Sequence, residues 1–264
     1  MEAYIVDYIR TPIGRYGGVL SSVRADDLAA FPIRALIERH KDIDPAQIDE
    51  IIGRSETLQR GIDLRFLYDE ERRIFAIGYQ VGERRLDNSF YDLLASEARL
   101  TSLLAIARGD VPLEHWWALG RPFGSAYGRL PLLSWTGTMF EYLMPVLFTQ
   151  THEDSLLDRA CHDAVYCQIA YGENLGVPWG ISESAFSAVD RNHVYQYRAF
   201  GVPALALKRG QERDLVVAPY ASALALGIEP VPAARNLRKL ALAGDAAMLG
   251  DHGCLLYTSD AADD

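Results

Sequence analysis

Long uninterrupted apolar runs are missing from this chain of 264 residues. The best candidate, around Leu215 to Ile228, is broken by Pro219, and no run approaches the roughly 18 to 20 residues that cross a bilayer. Asp7 and Arg10 interrupt the first apolar stretch, so it lacks the h-region of a secretory signal. Basic residues are outnumbered, 26 Lys and Arg against 36 Asp and Glu. That balance argues against a nucleic-acid partner, which is held by clustered cations that displace counterions. Cysteine is scarce as well. Of the 3 cysteines, only Cys161 and Cys167 lie in the body of the chain, and their spacing puts them on different faces of a helix. A reducing, cytoplasmic setting is expected. There is no G-x-S-x-G elbow, no Walker loop and no G-x-G-x-x-G, so serine-hydrolase, nucleotide and dinucleotide sites have no support, and no cofactor is expected. His152, Glu153, Asp154 and His162 match none of the tight zinc spacings and read as a solvated loop, so no metal is expected.

What is present is apolar residues, 49% of the chain, enough for a sizeable core. Residues 3–10 alternate like a strand, Thr11 to Gly18 reads as a loop, and Arg24 to His40 reads as a helix that Pro32 should kink or restart. From Arg85 onward the pattern is helical, with helices predicted at 87–108, 135–150, 155–171, 213–227 and 231–243. Gly, Pro and aromatic loops separate them. Periodicity alone supports a mainly α fold; no repeat or low-complexity segment is visible.

Carboxylates in apolar or aromatic surroundings are the chemically informative residues. With Phe90 as origin at 3.6 residues per turn, Leu93, Leu94, Leu100, Thr101 and Leu104 share one helix face, and Glu97 falls in its middle. A buried acid there is either paired with an arginine such as Arg84 or Arg99, or lines a cavity with a proton held ready for donation. Glu183 sits in a loop between Trp179 and Phe186, followed by Tyr195 and Tyr197. Aromatic faces pack against the C–H faces of pyranose rings, which makes this loop a candidate sugar site; the bland alternative is a capping acid with Trp179 in the core. Glu141 points away from the arc of Met139, Phe140, Leu143 and Leu147, which suits a solvated or substrate-binding role. Asp87 and Asp92 could bind hydroxyls of a ligand, although Asp87 is well placed simply to cap the helix it opens.

Several segments recur in an order that carries a resemblance: Leu132-Leu-Ser-Trp-Thr-Gly-Thr-Met-Phe-Glu-Tyr-Leu-Met-Pro145, Val177-Pro-Trp-Gly-Ile-Ser-Glu-Ser-Ala-Phe186, Tyr195-Gln-Tyr-Arg-Ala-Phe-Gly-Val-Pro203 and Asp214-Leu-Val-Val-Ala-Pro-Tyr-Ala-Ser222. With the segment from Arg85 to Ile106, they resemble the glycoamylase-like, transglycosylating domain of bacterial cyclic beta-1,2-glucan synthases, over about 55–250. The resemblance implies an alpha/alpha barrel of helical hairpins of the six-hairpin glycosidase type. The barrel is expected to be incomplete, because a later glycine- and aromatic-rich segment and a histidine-pair motif do not occur. It also implies cleavage and transfer of beta-1,2-glucan with retention, in the intact parent as a cytoplasmic domain of an inner-membrane protein. The implied catalytic carboxyls are Glu97 and Glu183, with acid and nucleophile unassigned. Trp135, Glu141, Trp179, Tyr195 and Tyr197 would bind substrate.

The beginning is different. Ala3-Tyr-Ile-Val-Asp-Tyr-Ile-Arg-Thr-Pro-Ile-Gly-Arg-Tyr-Gly-Gly18 and Arg24-Ala-Asp-Asp-Leu-Ala-Ala30 resemble the start of a thiolase, up to Gly53. The thiolase reading implies acyl-CoA transfer, but it needs a reactive cysteine in a small-residue loop, and Cys161 and Cys167 fall in a helical pattern. The last eleven residues, from Cys254 to Asp264, are similar to a translated sequencing adapter. The expected organisation is therefore a thiolase-like fragment at 1–53, a glycoamylase-like domain at 54–253 and a tail at 254–264 without a fixed partner. A non-functional chimeric gene product is the remaining alternative.

Overall fold

The computed structural model describes residues 25–41, 44–189, 191, 195–210 and 215–242, and the short backbone segments 249–250, 253–254 and 257–258. The strand expected at 3–10 and the loop at 11–18 lie outside these residues. Two compact units divide between Asp63 and Leu64.

The first unit contributes helix α1 (Ala25–Arg39) and helix α2 (Pro45–Gly61). Helix α1 runs through Pro32 without a break. Helix α2 was not foreseen: Asp44 caps its amino end by accepting from the Ala46 amide, with Pro45 in the first turn, the arrangement that starts helices most readily. It passes through Gly53 and Arg54, the position at which the change of family is expected.

The second unit opens with two small antiparallel hairpins, β1–β2 (Tyr68–Asp69, Ile74–Phe75) and β3–β4 (Tyr79–Gln80, Arg85–Leu86). Buried His115 pins the first of them. Its Nδ1 lies 2.9 Å from the Arg73 carbonyl and its Nε2 2.8 Å from Ser102 Oγ. A carbonyl can only accept, so Nδ1 carries the hydrogen and Nε2 accepts from the serine.

Helix α3 (Ser96–Arg108) starts nine residues later than the expected 87–108. Asp87 accepts from the Ser89 amide and Asp92 from the amides of Leu94 and Ala95. These local side-chain bonds compete with helix over 87–95, where Phe90 bridges to Ala76 and Leu93–Leu94 form a turn. Asp87 therefore caps a turn and not the helix. Phe90, Leu93 and Leu94 are off the helix, and its buried face is Ala98, Arg99, Ser102 and Ala105, while Leu104 is exposed. The apolar stripe centred on Glu97 is not formed.

Helix α4 (Glu114–Ala118) leads to helix α5 (Met139–Leu143), which covers only part of the expected 135–150. Thr138 and Glu141 form a capping box that fixes its start, and Pro145 turns the continuation into a 3₁₀ segment, Met144–Leu147. Helix α6 (Leu156–Leu175) is capped by Ser155 and ends at Gly176 in the left-handed region. Helix α7 (Pro219–Leu224) pairs with helix α8 (Pro230–Leu242) in a helical hairpin. The expected helix at 213–227 is shortened because Val216–Val217 form strand β7 ahead of Pro219. Between α6 and β7, strands β5 (Ser184–Val189) and β6 (Tyr195–Arg198) make a hairpin that periodicity did not reveal.

The core is assembled from Met139, Tyr142 and Leu143 of α5, Cys161, Ala164 and Val165 of α6, and Ala221, Ala233 and Leu240 of the carboxyl-terminal hairpin. Tyr142 donates to the Leu132 carbonyl at 2.8 Å, so its buried hydroxyl is satisfied. The fold is mainly α, built as part of an alpha/alpha barrel of helical hairpins. Strands β8 (Leu249–Gly250) and β9 (Gly253–Cys254) pair with each other. Strand β10 (Tyr257–Thr258) pairs antiparallel with β7, Tyr257 opposite Val217. The tail therefore has a backbone partner, contrary to the expectation; β7 presents an edge that an extended segment can extend. No described helix is long and apolar enough to cross a membrane.

Candidate active site

A cavity of about 510 Å³ opens in the second unit, with three carboxylates on its wall: Asp92, Glu141 and Glu183. Phe90, Tyr91, Trp135 and Thr136 line it as well. Apolar and aromatic surface with a few convergent polar groups is the usual make-up of a ligand site.

Close backbone approach builds one wall. A Cβ on Gly201 would stand 1.8 Å from the Thr136 carbonyl oxygen, and one on Gly137 would stand 2.6 Å from that of Val202. Only glycine permits these segments to meet. Their contact continues as backbone hydrogen bonds, Val202 to Gly137, Leu207 to Ser134 and Lys208 to Trp135. Trp135 is thereby fixed at its backbone while its ring stays 60% exposed on the cavity wall.

Glu141 is held by a cage of donors. Its Oε2 accepts from Ser134 Oγ at 2.8 Å, Thr136 Oγ1 at 2.6 Å and the Thr138 amide at 3.2 Å. Such a carboxylate organises the turn 134–138 before it meets any ligand. Arg99, almost wholly buried, donates to the carbonyls of Glu141 and Tyr142 and so joins α3 to α5. Asp92 has a different setting: burial pushes its carboxyl above the ordinary value, and nearby Glu141 adds to the shift, while the two backbone donors and Arg99 oppose it.

Glu183 follows a segment clamped by two buried amides. Gln168 of α6 accepts from the amides of Gly180 and Ile181 and donates to the Ile181 carbonyl at 2.7 Å. Asn236 of α8 accepts from the Trp179 amide and donates to its carbonyl at 2.7 Å. Tyr220 of α7 donates to the Glu183 carbonyl at 2.7 Å, and the Tyr197 hydroxyl bonds Glu183 Oε2. Gln168, Asn236 and Tyr220 escaped the sequence reading. The available signal was a polar residue on an otherwise apolar helix face, which at Gln168 and Asn236 means an amide that mimics a strand partner.

Of the expected site residues, Trp135, Glu141 and Glu183 share this cavity, and Tyr197 touches it through Glu183. Trp179 does not belong to it. Its side chain is 6% exposed and packs in the core, so its ring is no platform for a sugar. Glu97 lies in the first turn of α3 and Tyr195 in β6, but their side chains are outside the described residues. Among the described residues no group of His, Cys, Asp and Glu is arranged to hold a metal ion. Cys161 and Cys167 are buried, and burial pushes both thiols up to about 11. Neither is the activated thiol that acyl transfer of the thiolase kind requires.

Residues 89–255 match the glycoamylase family, described as "Putative glucoamylase", and the chain belongs to this family. The chain is 48% identical over 205 residues to the cyclic beta-(1,2)-glucan synthase NdvB of Rhizobium meliloti (strain 1021). That match takes in 78% of this chain and 7% of the synthase. Residues 3–62 match the thiolase N-terminal domain, and 50 residues are 60% identical to a beta-ketoadipyl-CoA thiolase of Pseudomonas knackmussii, 19% of this chain and 12% of the thiolase. The chain thus spans a small part of either relative. The endo-beta-1,2-glucanase from Chitinophaga pinensis, solved with sophorotriose and glucose, superposes with a TM-score of 0.60 over 80% of this chain and 53% of its own, at 14% identity. At that identity the likeness concerns the fold.

Proposed function

We propose that the cavity bounded by Asp92, Trp135, Glu141 and Glu183 binds beta-1,2-linked glucan and that the domain cleaves and transfers such chains with retention, as the cyclising step of a larger synthase. The observation that carries this reading is the convergence of three carboxylates and an exposed tryptophan on one cavity of about 510 Å³. The similarity to a cyclic beta-(1,2)-glucan synthase supports the choice of linkage.

Retaining transfer needs one carboxyl to protonate the leaving oxygen and a second to attack the anomeric carbon; a sugar hydroxyl then replaces the enzyme carboxylate. Glu183 and Glu97 are the proposed pair. One oxygen of Glu183 accepts from Tyr197, which suits the carboxylate that attacks. Asp92 offers a second reading for the proton donor, because burial raises its pKa. The remaining partner is the rest of the synthase, from which the linear glucan would arrive.

The test is incubation of the chain with linear beta-1,2-glucan, with products followed by mass spectrometry and the new anomeric configuration by NMR. Retained beta linkages and cyclic or transferred products are expected. Glu183→Gln and Glu97→Gln should abolish them, whereas loss in Asp92→Asn with full activity in Glu97→Gln would give the donor role to Asp92.

A further inference from the structure

A second cavity, of about 290 Å³, lies between α4, the 3₁₀ segment after α5 and the start of α6. It shares no lining residue with the first; Leu93 borders one and Asp92 the other. Its volume is near the lower limit of ligand sites, about 300 Å³. Trp117 stands at its edge with 69% of its surface exposed. The ring is nonetheless held. Arg121 donates to the carbonyls of Trp116, Trp117 and Leu119, at 2.6 to 3.2 Å, and its guanidinium lies 5.7 Å from the Trp117 ring centroid. A guanidinium locked by three carbonyls supports an aromatic plane and limits its rotation. Gln150 and His152 line the same cavity and are exposed, and no hydrogen bond of either side chain is found among the described residues.

We infer that this cavity is a second saccharide site, which takes one glucosyl unit by stacking on Trp117 and hydrogen-bonding to Gln150 and His152. A supported aromatic plane that shares a cavity with an amide and an imidazole offers partners for both surfaces of a pyranose, its apolar C–H face and its hydroxyl rim. The choice of a glucosyl ligand rests on the function proposed above. The site would hold a long chain outside the cavity of the carboxylates.

The experiment is calorimetric titration of the whole chain with sophorotriose and with longer linear beta-1,2-glucans, alongside NMR of the tryptophan indole N–H groups. Two binding events are expected. Trp117→Ala should weaken one of them about 10-fold, the loss of a stacking contact of ~1.4 kcal/mol. Gln150→Ala should weaken the same event, and Trp135→Ala should leave it in place. Since Trp117 is exposed, unchanged circular dichroism should accompany the loss. Identical titrations for Trp117→Ala and the parent would overturn the inference, and loss of binding in Trp135→Ala alone would still uphold the first cavity. If the parent binds no glucan, both readings fall.

Discussion

The hydroxyl of Tyr197, on β6, hydrogen-bonds Oε2 of Glu183, the residue that immediately precedes β5. The antiparallel register, with Ala185 opposite Tyr197, brings the two side chains to the same end of the hairpin. In the mechanism proposed above, Tyr197 would position this carboxylate. Tyr197→Phe keeps the ring and removes the bond. We expect kcat for glucan transfer to fall about 10-fold, the worth of ~1.4 kcal/mol, with KM nearly unchanged. Steady-state kinetics check this; an effect confined to KM would return Tyr197 to a sugar-stacking role.

Gly201→Ala should destabilise the second unit by about 1–3 kcal/mol or more, because its Cβ would stand 1.8 Å from the Thr136 carbonyl oxygen and the backbone would have to shift. Chemical denaturation reads the loss. Quenching of Trp135 fluorescence should change in step, since the same contact fixes that wall.

Gln168→Leu should cost about 2–3 kcal/mol by leaving the buried amides of Gly180 and Ile181 without their acceptor. Wild-type stability in this variant would contradict the clamp.

How legible all this was in the sequence depended on the length of each pattern. Helices α6 and α8 are near the expected bounds, because 20 and 13 residues give amphipathic periodicity room to show. Helix α3 starts later than its periodicity suggests because Asp87, read as a helix cap, and Asp92, read as a hydroxyl-binding residue, bond local amides and favour non-helical backbone ahead of Ser96. That later start also removed the apolar stripe that singled out Glu97. Glu183 stood out because aromatic residues surround it in sequence, and it does line the cavity; Trp179, four residues before it, turns the other way into the core. The Gly201 contact with Thr136 joins residues far apart in the chain, and no local pattern announces it.

Asp92 gives stability a pH dependence of unusual sign. Burial raises its folded pKa above the ordinary carboxyl value, so between the unfolded and folded values the native state binds more protons. Its contribution is then present below the unfolded value and lost as pH rises through the folded one. Asp92→Asn retains an acceptor for Leu94 and Ala95 without the charge. The variant should gain stability over the parent at neutral pH and lose that advantage near pH ~3 to 4. Thermal melts across pH check it; a gain that grows on acidification would reverse the assignment.

Cys161 and Cys167, with thiols pushed up to about 11, should resist thiol reagents at neutral pH until the chain unfolds. Rapid labelling of either in the native state would reopen the acyl-transfer reading.

The most direct test of the account is Glu183→Gln assayed with linear beta-1,2-glucan, with transferred and cyclic products counted by mass spectrometry and binding measured on the same preparation. The account predicts that the parent forms these products with retained anomeric configuration, and that the variant binds glucan but forms none. Full product formation by Glu183→Gln would exclude this cavity-lining carboxylate from the reaction and contradict the proposed mechanism.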